Sequence, residues 1–411
     1  MKVCVVGSGG REHALAVVLG RTSDVVVTPG NAGIPGSTST PAEEIDAGLF
    51  VIGPEQPLVD GLADRLRAQG KLVYGPGADG ARLEGSKAWM KEVVAAAGVP
   101  TARHGDFDDL DDAIAFLDTL PTGPDGGYVI KTDGLAAGKG VLVTTDRAEA
   151  EADVRDKLAG TAFGDAGRRV VIEERMVGPE LSILAVCDGT RAVALAPAQD
   201  FKRVGDGDSG PNTGGMGCYS PVPAVDDAVV QDVLDRFVQP TLDELNRRGI
   251  DYRGTLYAGL MLTADGPKLV EYNARFGDPE SQVVLPRLTS DLAQLLAEAA
   301  AGELRSEPTS RDAACVAVAC AAEGYPGPTR TGDVIEGVDE ARAIDGVEVL
   351  FAGVAAGEAP GTLVTAGGRV LYVCGTGPTI AEARARAYEG VARISWPGMH
   401  HRTDIAASPT T

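Results

Sequence analysis

Glu271 and Asn273 stand two residues apart in KLVEYNARFGDPE, a run dense in β-forming residues. On a strand that spacing puts both side chains on one face. A carboxylate and an amide oxygen on one face, with room left for water and phosphate oxygens, suit a hard divalent cation. Arg275 falls on the same face, placed to meet a phosphoryl group in transfer. The apolar neighbours Leu269, Val270 and Tyr272 argue for a covered strand, where Glu271 would be costly without a cation. An exposed edge strand is the alternative.

Three other segments carry residues fit for an anionic ligand. In GSGGRE the backbone N–H groups of Gly9 and Gly10 precede a helix, and Arg11 adds a guanidinium. That combination favours a phosphate. A dinucleotide is less well served: the third spaced glycine is missing, and Asp24 precedes the second strand where an acid should end it. A purely structural tight turn stays open. Glu55 follows the third strand at the carboxyl end of the same sheet, where a carboxylate can accept from ribose hydroxyls. IKTDGLAAGKG is not a Walker loop, because Gly140 stands where Ser or Thr is required. Gly138 and Gly140 flank Lys139, and with Lys131 on the preceding strand this tip can fold over triphosphate oxygens. A solvated hairpin is the plain alternative. In VIEERMVGPE a strand ends in Glu173 and Glu174, and Glu180 follows beyond the apolar Met176 and Val177. Those carboxylates suit an adenine amino group and a ribose, or else form an acidic surface turn.

The elements that must position these residues alternate in type. Strand candidates at 3–6, 25–27, 50–52 and 72–74, with helical spacing at 58–69, imply a parallel doubly wound sheet. The middle region is mixed α+β, with strands at 128–131, 141–144, 170–173, 181–187, 192–196, 255–263 and 267–272. Helices are expected at 147–158 and 225–248, and a polar loop at 202–217. Short strands at 315–321, 347–352 and 369–374 precede a last helix at 379–394. The expected division is 1–100, 101–310 (with a small lobe near 120–190) and 311–411. A net charge of −22, from 37 Lys and Arg against 59 Asp and Glu, repels polyanions and argues against nucleic acid or an anionic membrane. No run approaches the roughly 18 apolar residues of a membrane span. The six Cys contain no CxxC pair, and four His make a multi-His zinc site unexpected. A cytoplasmic protein with reduced thiols is expected.

Taken in order, GSGGREHA, PGNAG, GPEQPLV, LEGSKAWMK, IKTDGLAAGKG, IEERMVGPE, QDFKRVGDGDSGPNTGGMG, YAGLM, EYNARFGDPE and the closing RTDIA resemble phosphoribosylamine–glycine ligase, an ATP-grasp family of purine synthesis. The resemblance covers essentially the whole chain. It implies an α/β and α+β chain with a Rossmann-like N-terminal domain, a two-lobed ATP-grasp centre and a small C-terminal α/β domain. It further implies Lys87 and Lys131 facing phosphates, Glu173 and Glu180 on adenine and ribose, and Lys139 in a mobile loop. Glu271 and Asn273 match the family's metal pair, with Mg2+ or Mn2+ accompanying ATP. Gly9, Gly10, Arg11 and Glu55 match where relatives hold the phosphoribosyl group, and Asp200, Lys202 and Arg203 go with the substrates. The partners implied are glycine and 5-phosphoribosylamine, acted on by a monomeric chain through a glycyl phosphate. Another carboxylate–amine ligase, or an idle nucleotide-binding protein, is the alternative. Three departures stand out. Phe201 replaces the usual His, YAGLM supplies no second metal carboxylate, and Ala406 replaces a closing Gly, which is expected to be neutral.

Overall fold

The computed structural model describes residues 1–123, 125–134, 140–160 and 169–408. Short apolar runs build the first sheet. Strands β1 (Lys2–Gly7), β2 (Asp24–Pro29), β3 (Leu49–Ile52) and β4 (Val73–Tyr74) pair in parallel in the order β2-β1-β3-β4. Val3, Val5 and Phe50 are fully buried, as a parallel sheet covered on both faces requires. Helix α1 (Gly10–Leu19) connects β1 to β2. The helix expected over 58–69 is split into α2 (Glu55–Val59) and α3 (Leu62–Ala68). Gly61 between them has φ +74, a left-handed conformation that stops one helix and starts another. Helices α4 (Ala78–Gly85) and α5 (Lys87–Ala96) follow, and the Ser86 hydroxyl caps α5 by accepting the Trp89 amide.

A small antiparallel sheet comes next, from β5 (His104–Phe107), β6 (Tyr128–Thr132), β7 (Val141–Thr144) and β8 (Val170–Glu174), in the order β5-β8-β6-β7. Helices α6 (Leu110–Leu117) and α7 (Arg147–Leu158) close it around Ala113, Leu117, Ile130, Val154 and Ile172. The glycine tip joins β6 to β7, and Gly138 and Lys139 lie outside the described residues.

Beyond it run β9 (Glu180–Asp188), β10 (Ala192–Ala194), β11 (Gln199–Asp200), β12 (Arg203–Gly205), β13 (Ser209–Asn212) and β14 (Gly217–Ser220). The polar stretch 202–217, expected as a loop, contains the β12-β13 ribbon, turned by Gly207 at φ +65. The expected helix 225–248 is α8 (Asp227–Val233) and α9 (Gln239–Arg247), joined by a π turn over Leu234–Val238. The wide turn falls just ahead of Pro240, which has no N–H for a regular turn. Strands β15 (Arg253–Thr263) and β16 (Gly266–Asn273) complete the sheet β10-β9-β15-β16.

After α10 (Ser281–Val284) and α11 (Leu292–Ala301) the chain forms β17 (Ala314–Ala321), α12 (Val338–Arg342), β18 (Val347–Phe351), β19 (Val354–Ala356), β20 (Leu363–Thr365), β21 (Arg369–Gly377) and α13 (Ile380–Val391). The last large sheet has the order β11-β14-β17-β21-β18, so two of its strands come from residues 199–220. All six Cys are free and buried. Among the described residues no helix is long and apolar enough to cross a membrane.

Ala406 is not neutral in this fold. Its φ of +54 lies in the left-handed region, which costs an L-residue about 1–2 kcal/mol and glycine nothing. Part of that is offset by the larger entropy a glycine would have in the unfolded chain. Ala406→Gly is therefore expected to stabilise by about 0.5–1 kcal/mol, read as a small rise in Tm. A lower Tm for that variant would contradict this account.

Candidate active site

Strand β16 carries the first part of the site. Its register against β15 slips between Gly259 and Leu260, so Val270 is an extra, bulged residue. The bulge frees the Val270 carbonyl to accept from Lys131 Nζ at 3.2 Å. Beyond it Tyr272 points into the core, where its hydroxyl bonds to the Phe237 carbonyl and meets Thr241. Glu271 and Asn273 share the opposite face. Among the described residues the Glu271 carboxylate has neither a hydrogen bond nor an ion pair, yet Lys87, Lys91 and Lys131 lie within its field.

Arg275 does not stand free. Its Nη2 donates to Glu84 Oε1 at 2.8 Å and to Asn273 Oδ1 at 3.2 Å. Its Nε lies 3.4 Å from Glu55 Oε2, and the Ala274 amide donates to Glu84 Oε2 at 2.9 Å. Glu55 is shared with Arg11, 4.0 Å away, and Arg11 Nε pairs with Glu12 at 2.5 Å. Burial pushes the Glu55 carboxyl up, but Arg275 and Arg11 outweigh it and hold the group below its ordinary range. A continuous set of charges therefore links the glycine loop of the first sheet to β16.

Beside β16 a second charged cluster is buried. Glu173 receives Lys131 at 2.7 Å and Lys91 at 3.1 Å, and is only 2% exposed. Glu173 is expected at adenine; in this structure both lysines engage its carboxylate. Burial raises its proton affinity, but the two ammonium groups hold it ionised below the usual range. Burial pushes Lys91 down to about 8 despite Glu173. Lys87, at the start of α5, donates to the Gly134 carbonyl at 2.8 Å, immediately before the glycine tip. Gly140 accepts from the Thr132 amide at 2.9 Å at the tip's far end.

The remaining expected residues divide. Glu174 accepts from the Arg103 amide at 3.0 Å and lies 3.7 Å from Lys268. Met176 is half-buried beyond it. Glu180 pairs with Lys202, which also meets Asp200 at 3.0 Å. Nearby, Tyr257 donates to Glu280 at 2.8 Å, and burial together with Asp200 pushes the Glu280 carboxyl up to about 7. Arg203 is not brought to this group, since its guanidinium donates to the Gly210 carbonyl within the β12-β13 ribbon. Phe201 lies under the buried Arg402, whose guanidinium carbon is 5.0 Å from the ring centroid.

Several residues that the sequence reading passed over also converge here. Asp278 Oδ1 accepts from the Tyr372 hydroxyl at 2.7 Å and from Gln282 at 2.8 Å, and Arg369 reaches Oδ2 at 3.4 Å. A side chain on Gly9 would stand 3.6 Å from that carboxylate, and one on Gly10 would strike the Tyr372 ring at 2.5 Å. The glycine at position 10 is thus required by the approach of β21. Lys91 had a usable signal, because it is four residues from Lys87 on one helix face. Arg369 and Tyr372 had none.

Comparison with known proteins decides the relationship. Family models described as the N domain, the ATP-grasp (A) domain and the C domain of phosphoribosylglycinamide synthetase match residues 1–84, 85–281 and 315–408. The chain belongs to the phosphoribosylglycinamide synthetase family. Family members from Caulobacter vibrioides and Streptomyces coelicolor, both named phosphoribosylamine–glycine ligase, are each 48% identical to it. The alignments cover 98% of this chain and 97% of the first relative, and 99% of both chains for the second. A crystal structure of phosphoribosylamine–glycine ligase from Thermotoga maritima superposes with a TM-score of 0.85 at 35% identity, over 98% of this chain and 100% of that one. For a phosphoribosylglycinamide synthetase the Phe201 departure has a packing role, as the platform for Arg402.

Proposed function

We propose that this chain joins glycine to 5-phosphoribosylamine, with ATP becoming ADP and phosphate and glycinamide ribonucleotide as the product. The observation that carries the reading is the chain of charges from Arg11 through Glu55 and Arg275 to Glu84 and Asn273. It sets a phosphate-suited helix N-terminus beside a strand suited to a metal–nucleotide. Glycine's carboxylate has no leaving group, so its oxygen takes the γ-phosphoryl of ATP. The amine then attacks the acyl carbon, the C–N bond forms, and phosphate leaves as the amine gives up a proton.

The division of labour proposed is as follows. Lys87 and Lys131, with Gly138, Lys139 and Gly140 of the tip, face the ATP phosphates. Glu174, Met176 and Glu180 line the base and ribose side, and Glu173 fixes Lys131 and Lys91. Among the described residues no cluster of three or more His, Cys, Asp or Glu holds a metal unaided. Glu271, unpaired among the described residues, and the Asn273 oxygen nevertheless fit a cation that takes its other ligands from phosphate and water. Glu271 and Asn273 would hold Mg2+ or Mn2+, which when bound neutralises phosphate charge. Arg275 orients Asn273 and Glu55 and adds positive charge at the transfer site. Gly9, Gly10, Arg11 and Glu55 hold the phosphoribosyl group, and Asp200 with Lys202 flank the acceptor side. We take the division 1–100, 101–310 and 311–411, a monomer and a cytoplasmic setting as part of the same proposal.

The test is ADP release by the purified chain with ATP, Mg2+, glycine and phosphoribosylamine formed in place from ribose 5-phosphate and ammonia. Release that persists without glycine, or without the amine, would defeat the reading. In the same assay Arg11→Ala and Glu55→Ala should each raise the KM for phosphoribosylamine by about tenfold to a hundredfold, the worth of a charge-assisted hydrogen bond. The ATP and glycine constants should stay near wild type. A raised ATP KM with the amine unaffected would assign the loop to the nucleotide.

A further inference from the structure

His13 and Asn31 have no role in the account above, yet both reach from the glycine-loop region into the last sheet. His13 lies in α1, three residues past the helix's first residue Gly10, and is 2% exposed. Its Nδ1 accepts the backbone N–H of Phe351 at 2.8 Å, and its ring stacks on the Phe351 ring with centroids 5.7 Å apart and planes at 15°. Burial, with Arg342 nearby, pushes the imidazole down to about 4. The ring is therefore neutral at physiological pH, with Nδ1 free to accept. Asn31, in the PGNAG segment, donates from one amide nitrogen to the Ser8 carbonyl at 2.8 Å and to the Ala352 carbonyl at 2.9 Å. Its Oδ1 accepts the Gly33 amide at 2.8 Å, and a side chain on Gly33 would collide with the Phe351 ring at 2.4 Å.

These contacts have a common geometry. Phe351 ends β18 and Ala352 follows it, so the two side chains grip successive residues of one sheet edge. Ser8 is in the glycine loop itself, and His13 is one turn into the helix whose first amides face the loop. The Gly9 N–H is taken by Glu12 Oε2 at 2.6 Å, so the Gly10 amide is the one left for a phosphate, and it can serve one only if loop and helix are held in one orientation, because a hydrogen bond weakens steeply as it bends. Contacts spanning more than 300 residues of sequence supply that constraint.

We infer that His13 and Asn31 are positioning residues for the sugar-phosphate site, clamping the 351–352 segment against the glycine loop so that the start of the helix, with the Gly10 amide, stays aimed at the ligand. The inference rests on the phosphoribosylamine reading. Its prediction is selective: losing the clamp weakens the sugar phosphate and spares the nucleotide, which is held by β6, β8 and β16.

The experiment is steady-state kinetics with each substrate varied in turn, for His13→Leu, His13→Asn and Asn31→Asp, with Tm measured alongside. Leucine keeps the bulk of His13 and removes the acceptor. Asparagine returns an acceptor oxygen near the Nδ1 position. Aspartate keeps the Gly33 contact but loses both donations from Asn31. His13→Leu and Asn31→Asp should raise the phosphoribosylamine KM tenfold or more, with ATP and glycine constants within twofold. His13→Asn should come back to within threefold of wild type. A parallel rise in the ATP KM, a fall in Tm with unchanged constants, or an asparagine variant as impaired as the leucine one would overturn the inference. Asn31, half-buried, carries the test alone if His13→Leu does not fold. Amine-dependent turnover of the wild-type chain in the same assay judges the underlying reading separately.

Discussion

Glu271→Gln is expected to lower kcat by about three orders of magnitude, the several kcal/mol that a correctly held cation contributes to charge stabilisation, while Tm changes little. The two halves of that expectation have separate causes. Among the described residues no hydrogen bond or ion pair ends on Glu271, so removing its charge breaks no structural contact. Functionally the residue is the one carboxylate on the cleft face of β16, beside an amide on the same face that is already orientated by Arg275. Glutamine keeps one oxygen in place but cannot offer an anion to a hard cation. The lysines around it would also lose a nearby negative charge, since Lys87, Lys91 and Lys131 all feel Glu271. Raising Mg2+ should recover part of the loss. Near-normal turnover at ordinary Mg2+ would remove Glu271 from the metal site.

The residues differ in how much of this could be read from sequence. A period of two sufficed to put Glu271 and Asn273 on one face, because alternation is a local property of a strand. Apolar runs separated by helical spacing likewise gave the parallel sheet of the first region. What stayed hidden depends on contacts distant in sequence. Glu173 reads as a strand-end acid and becomes a buried clamp only because α5 brings Lys91 to it across the fold. Strands β11 and β14 look like part of the middle region, yet they pair into the last sheet. Asp278 was in view within FGDPE, but its partners Tyr372 and Arg369 lie more than 90 residues away, with no local signal linking them. Gly61 and Ala406 illustrate a different gap, since a left-handed backbone is set by the turn and not by the residue name.

Arg275→Met is expected to cost both stability and turnover, and the pH dependence separates the two. Arg275 is the partner that keeps Glu84 tolerable: Glu84 is half-buried, with its side chain 9% exposed, and burial already raises its proton affinity despite the guanidinium 2.8 Å away. Removing one member of a fully buried pair costs about 3–5 kcal/mol, because the other charge is left uncompensated, and this part-buried pair should lie at or below the low end of that range. In the variant the Glu84 carboxyl rises further above its unfolded value. A group raised in the folded state is stabilising below its unfolded pKa and loses that contribution as pH rises through the folded one. The deficit relative to wild type should therefore be larger at pH 8 than at pH 5, shrinking as the pH falls and Glu84 takes up a proton. Adding Glu84→Gln to Arg275→Met removes the stranded charge and should restore most of the Tm at pH 8. Turnover should stay low in the double variant, because Asn273 loses its orienting donor and Glu55 its nearer cation. Chemical denaturation at pH 5 and pH 8, with kcat for each variant, reads every part of this. A single variant as stable as wild type at pH 8 would show that Arg275 does not compensate Glu84, and a double variant that regains activity would show that Arg275 does not orient Asn273 and Glu55 for turnover.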